Sequence, residues 1–127
     1  PTPMIFSSAR KRESLDFIIL SVLADEPLYG YAIIKAVGAK SDGEIRLTPG
    51  VLYPALHGLE QEGLVSANWE TVRSARSGDT TGGRKRKWYR LTAKGKRRWQ
   101  KQANEHRSLM SMIQAFLPRA DEEKASS

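Results

Sequence analysis

Cysteine is absent from the sequence, which rules out a disulfide framework and a thiolate metal site and makes a reducing cytoplasm the expected location. The two histidines, His57 and His106, stand far apart. A zinc site would need carboxylates that no spacing recruits, so neither metal nor cofactor is expected. No run approaches the roughly 20 apolar residues of a membrane span. The opening Pro1-Thr-Pro-Met-Ile-Phe6 lacks the basic-then-apolar layout of a secretory signal. Nor is there a nucleophile with an oriented base or a phosphate-cradling loop between strand and helix, which leaves an enzyme as the weakest reading. Acid is missing locally as well: from Thr80 to Asn104 there are ten Lys or Arg and no Asp or Glu.

What is present suits one small soluble domain. The 127 residues are 39% apolar, enough for a modest core. The net charge of +7 favours an anionic partner. A cation run is often no more than a solvated face, so its place in the fold decides its meaning.

One stretch organises the chain, Thr48 to Leu64. Thr48 is placed to cap a helix that starts at Pro49, where a missing N–H costs nothing. Leu52, Leu56 and Leu59 repeat at helical period, and Gly63 stands where a left-handed C-cap residue is wanted. The opposite face carries Thr48, Gly50, Tyr53 and His57. Pro54 crowds the carbonyl four residues back, that of Gly50, and predicts an opened first turn.

Around this stretch the pattern predicts a first helix over Ser14 to Leu23, with Leu15, Ile18, Ile19, Val22 and Leu23 on an apolar stripe. A second helix is predicted from about Tyr29 to Val37, closed by Gly38, and Ile45 to Leu47 is a candidate edge strand. After Gly63 the period turns to alternation. Leu64 to Val72 and Lys85 to Leu91 form a hairpin with a long polar, Gly-rich loop. Thr92 caps a last helix in which Gly95 sits at some cost in propensity. Along that helix Trp99, Ala103, His106, Met110, Ile113 and Leu117 form a seam ended by Pro118.

Helix, helix, recognition-type helix and hairpin is the winged helix-turn-helix order, in which the third helix enters a major groove and the hairpin is the wing. The fold class is α+β, mostly α, with a long C-terminal dimerisation helix. The expected divisions are an arm at 1–11, the winged helix at 12–92, the dimerisation helix at 93–117 and a disordered tail at 118–127. Gly82, Gly83, Arg84, Lys85, Arg86 and Lys87 fall on the wing, where glycine allows close approach and cations neutralise phosphates. That placement makes a DNA contact the better reading of the cation run.

Tyr29-Gly30-Tyr31, Gly43 to Gly50, Leu52-Tyr-Pro-Ala-Leu56, Leu59 to Val65, Gly82-Gly-Arg-Lys85, Tyr89-Arg-Leu-Thr92 and Gly95 together resemble the PadR family of bacterial transcriptional regulators over about residues 12–117. The Thr-Pro-Gly-x-Leu-Tyr-Pro block is its specific element. The resemblance implies a homodimeric repressor, with the single C-terminal helix of the family's short class and release from DNA by a small aromatic or drug-like compound. The sequence departs from the family in a longer wing loop, Arg73 to Thr81, and in His57-Gly58, commonly a polar or basic pair.

The candidate contacts to double-stranded DNA are Tyr29, Lys35, Thr48, Pro49, Gly50, Tyr53, His57, Gly83, Arg84, Lys85, Arg86 and Lys87. Tyr53 either touches DNA or packs its ring on the second helix. Lys35 and His57 are either contacts or ordinary surface side chains. Tyr29 and Tyr31 flank Gly30 at a helix start, where free N–H groups suit a phosphate, and one of them is expected in the core. Trp99 and His106 are candidate ligand residues, with dimer core the alternative for Trp99, since a two-fold axis would bring two seams together. Leu15, Ile19, Ala103, Met110, Ile113 and Leu117 are the expected dimerisation residues, and Trp69 and Trp88 are expected to pack the wing on the core. A palindromic operator, no membrane and a small aromatic effector complete the expected partners. The rival reading is a winged helix that binds an acidic protein without sequence-specific DNA binding.

Overall fold

The computed structural model describes residues 9–72 and 84–119. Residues 1–8, the wing loop at 73–83 and residues 120–127 lie outside the described residues. The order is α1 (Ala9–Asp25), β1 (Leu28–Tyr29), α2 (Gly30–Lys40), α3 (Pro49–Gln61), β2 (Val65–Val72), β3 (Arg84–Leu91) and α4 (Ala93–Gln114). The three strands form an antiparallel sheet in the order β1-β3-β2. This is the winged helix expected from the sequence.

α1 is the central element, in contact with α2, α3, α4 and β3. Its Leu15, Ile19, Leu20, Val22 and Leu23 are buried with Ile33 and Val37 of α2 and with Leu52, Leu56 and Leu59 of α3. Each such burial stabilises the fold by about 1.5–3 kcal/mol. Leu15 and Ile19, expected on a dimer seam, are therefore corrected: a helix surrounded on several sides spends its apolar stripe within one chain. α1 also begins at Ala9, inside the expected arm.

α2 runs past Gly38 to Lys40, and the reversal comes at Asp42 and Gly43, with φ of 56° and 81°. The Gly43 amide donates to the Gly38 carbonyl at 2.8 Å. The edge strand is Leu28–Tyr29 and not Ile45 to Leu47. Tyr29 is extended as it enters α2 (φ −87°, ψ 163°) and pairs with Trp88 on the free side of β3. The Ile45 amide is instead taken by Ser41 Oγ at 2.9 Å, and Leu47 is buried in the core.

α3 ends in a Schellman motif. The Leu64 amide donates to the Leu59 carbonyl and the Gly63 amide to the Glu60 carbonyl, both at 3.0 Å, with Gly63 at φ 75°. α4 is joined directly onto this end. Thr92 Oγ1 donates to the Gly63 carbonyl at 2.6 Å and accepts from the Gly95 amide at 3.0 Å, while Lys94 Nζ donates to the Glu62 carbonyl at 2.8 Å. Gly95 touches the Leu64 carbonyl so closely that a Cβ there would overlap it. The glycine that looks costly for a helix is what allows α4 to start against α3.

Candidate nucleic-acid interface

The interface is built first from the face of α3 that the core does not use. Leu52, Leu56 and Leu59 point inward, while Thr48, Pro49, Gly50, Tyr53 and His57 are exposed. Thr48 stands at the N-cap, but its side chain makes no capping bond, so the expected hydroxyl cap is absent; its carbonyl accepts from the Leu52 amide at 2.9 Å. The helix runs unbroken through Pro54. At Gly50 a Cβ would meet only Thr48 Oγ1, at 4.0 Å, so nothing within the chain demands glycine there.

Tyr53 lies against the start of α2, where a Cβ on Gly30 would collide with the tyrosine hydroxyl. Of the two alternatives for this ring, packing on the second helix is realised, and its other side stays exposed. Tyr31 is 59% exposed and Lys35 stands over its ring at 5.2 Å. Tyr29 is the half-buried tyrosine of the pair. It meets Trp88 edge-on at 5.3 Å and carries the Arg86 guanidinium 4.7 Å from its ring. Trp88 thus secures the wing to β1 rather than to the core.

On the wing, Lys85 and Arg86 are exposed. Gly83 lies outside the described residues, as do Gly82 and the Arg84 side chain. Lys87 is engaged elsewhere: its Nζ is 3.4 Å from Glu60 Oε1 on α3 and stands over the rings of Tyr89, at 5.6 Å, and Trp69, at 5.8 Å. Glu60 was not singled out from the sequence, although it follows His57 by one helical turn. Burial, with Glu60 and Tyr53 adding to it, pushes the Tyr89 hydroxyl up to about 12, so Tyr89 stays neutral in the floor between helix and wing. Trp69 does not pack the wing on the core. It is 66% exposed, because β2 runs out past the helices after Ala67.

Trp99 and His106 belong to a different region, the contact of α4 with α1. Trp99 Nε1 donates to Ser21 Oγ at 3.0 Å, and the His106 ring lies 4.8 Å from that of Phe17. Ala103 is half-buried between them. A cleft of about 440 Å³ between Leu23, Pro27, Arg90 and Lys96 includes neither residue. On α1, burial followed by the nearby Glu62 raises the Asp16 carboxyl to about 6 against the pull of Arg12 and Arg98. Beyond His106, α4 leaves the body of the chain. Met110, Ile113 and Leu117 are exposed, with Leu109, Met112 and, at 85%, Phe116. The helix ends at Gln114, short of Pro118, and Ala115 to Leu117 continue as turns.

A family model described as the transcriptional regulator PadR-like family matches residues 19–101. Among solved structures, a transcriptional regulator from Clostridium thermocellum is 28% identical, with a TM-score of 0.69, covering 87% of this chain and all of that one. A PadR family transcription regulator from Clostridium difficile is 30% identical with a TM-score of 0.65, over 82% of this chain and 98% of that one. The transcriptional regulator YqjI of Escherichia coli is 34% identical over 56 residues, 44% of this chain and 27% of its own length.

Proposed function

Since this chain belongs to the PadR-like family of transcriptional regulators, we propose that it is a homodimeric repressor, acting in the cytoplasm, which reads a palindromic operator through two copies of α3. The observation that carries this reading is the division of α3 into a leucine face used by the core and an outward face of Thr48, Pro49, Gly50, Tyr53 and His57 beside a basic wing. The bare Gly50 position leaves room for a base or backbone to approach. Lys85, Arg86 and Arg84 neutralise phosphates, and Gly83, outside the described residues, allows close approach of the backbone to the duplex. Tyr29 acts through Arg86, whose guanidinium it holds. Lys35 and Tyr31 meet the phosphates at the start of α2. The proposed divisions are the winged helix at 12–92 and the dimerisation helix at 93–117, flanked by the arm and tail.

The apolar end of α4 supports the dimer. Six large apolar side chains in exposed positions are unusual on a monomer, and an isologous seam through Met110, Ile113 and Leu117 would cover them. Ala103 lies at the start of that seam. A small aromatic compound binds beside Trp99 and His106, where α4 meets α1, and its binding changes the spacing of the two α3 helices. The test is selection of a duplex from a random-sequence library, followed by footprinting and a salt series. A palindromic footprint of two half-sites about one turn apart is expected, with affinity falling steeply with salt. A flat salt response with no selected sequence would overturn the reading. An aromatic compound panel should then displace the selected duplex.

A further inference from the structure

Trp69 is placed where neither core nor loop explains it. On β2 the side chains of Val65 and Ala67 face the core, and Trp69 is next on that face, paired across the sheet with Lys87. No helix covers its ring, which remains 66% exposed. Its neighbours hold it beside α3: Lys87 Nζ lies 5.8 Å from the indole and is itself anchored to Glu60 of α3 at 3.4 Å. The indole therefore lies on the α3 side of the wing, linked through Lys87 to Glu60.

The surroundings say what covers it. Lys85, on the same face of the neighbouring strand as Lys87, is exposed, and Glu60, the α3 acid at this face, is paired with Lys87. Glu70 pairs across the sheet with Arg86, on the opposite face of the strand. A surface that is apolar at one point and basic around it fits a partner with an anionic rim and a less polar wall, which describes the deoxyribose edge of a duplex groove between its phosphates. We infer that Trp69 is a non-ionic DNA contact of the wing, packing its ring on deoxyribose and offering its indole N–H to a phosphate oxygen. This rests on the DNA-binding reading above.

The test uses the full chain and the tightest duplex that the wild type selects from a random library. Trp69→Ala is expected to bind that duplex roughly tenfold more weakly, with the slope of affinity against salt unchanged because no cation is lost. Trp69→Phe should recover part of the affinity, and the fluorescence change on adding duplex should shrink in it. Equal binding by wild type and Trp69→Ala would overturn the inference while leaving the DNA reading intact. So would a monomeric Trp69→Ala in sedimentation, which would make the ring a subunit contact. A wild type that selects no duplex would overturn both.

Discussion

Lys87 Nζ lies 3.4 Å from Glu60 Oε1, so the third strand is ion-paired to the helix proposed to read DNA. The pair sets the wing against α3 and takes one cation out of the phosphate-binding set. It is partly shielded on both sides, and pairs of this kind contribute about 0–1 kcal/mol to stability.

Glu60→Gln should release Lys87. The selected duplex should then bind more tightly, with the slope of log affinity against log salt steeper by about 0.9 as one further phosphate is neutralised. Thermal unfolding should change little. A weaker complex would show instead that the tether orients the wing.

Gly95→Ala tests the junction between α3 and α4. In an isolated helix alanine is about 1 kcal/mol better than glycine. Here the added Cβ would overlap the Leu64 carbonyl, which is backbone and cannot swing away. Urea unfolding should show a loss of about 2 kcal/mol or more. An equally stable variant would mean that α4 does not start so close to Leu64.

Asp16 should make stability depend on pH. Its folded value, about 6, lies above the ordinary 3.8, with burial the first cause and Glu62 the second. The folded state thus binds the proton more tightly than the unfolded one. The contribution is fully present below the unfolded value and is lost as pH rises through the folded one, between about 4 and 6. Asp16→Asn, which carries no charge, should exceed the wild type in melting temperature at pH 7.5, with the gap closing towards pH 4. A gap that stays constant across that window would place the carboxyl in water.

The exposed end of α4 gives the test of assembly. Ile113→Asp with Phe116→Asp puts two charges into the seam proposed for the dimer, at positions that the single chain leaves uncovered. Sedimentation should report a monomer, and affinity for a palindromic duplex should fall to that of a single half-site. An unchanged dimer would move the interface elsewhere.

Much of this was legible because it is local. The leucine period of α3, Pro49 at its start, Gly63 at its end and the alternation on both strands each depend on a few neighbouring residues, and the structure follows them. The signals that misled were also local. Gly38 resembled a helix stop and Ile45 to Leu47 a strand, yet the bond from the Gly43 amide to the Gly38 carbonyl, the bond from the Ile45 amide to Ser41 Oγ and the pairing of Leu28–Tyr29 with β3 decided both. Glu60 had a readable position, one turn after His57, but its partner depended on the register of β3 against β2.

The sequence by itself determined the kinds of elements, their order and the concentration of positive charge on the hairpin, since periodicity and composition are properties of the chain alone. Only the tertiary structure decided which apolar residues face one chain's core and which face outward. Leu15 and Ile19 went inward because α1 is enclosed by its neighbours, while Trp69 and the end of α4 stayed exposed because β2 and α4 outrun the body that could cover them. A side chain's period says which face it is on; what meets that face is fixed only when the elements pack.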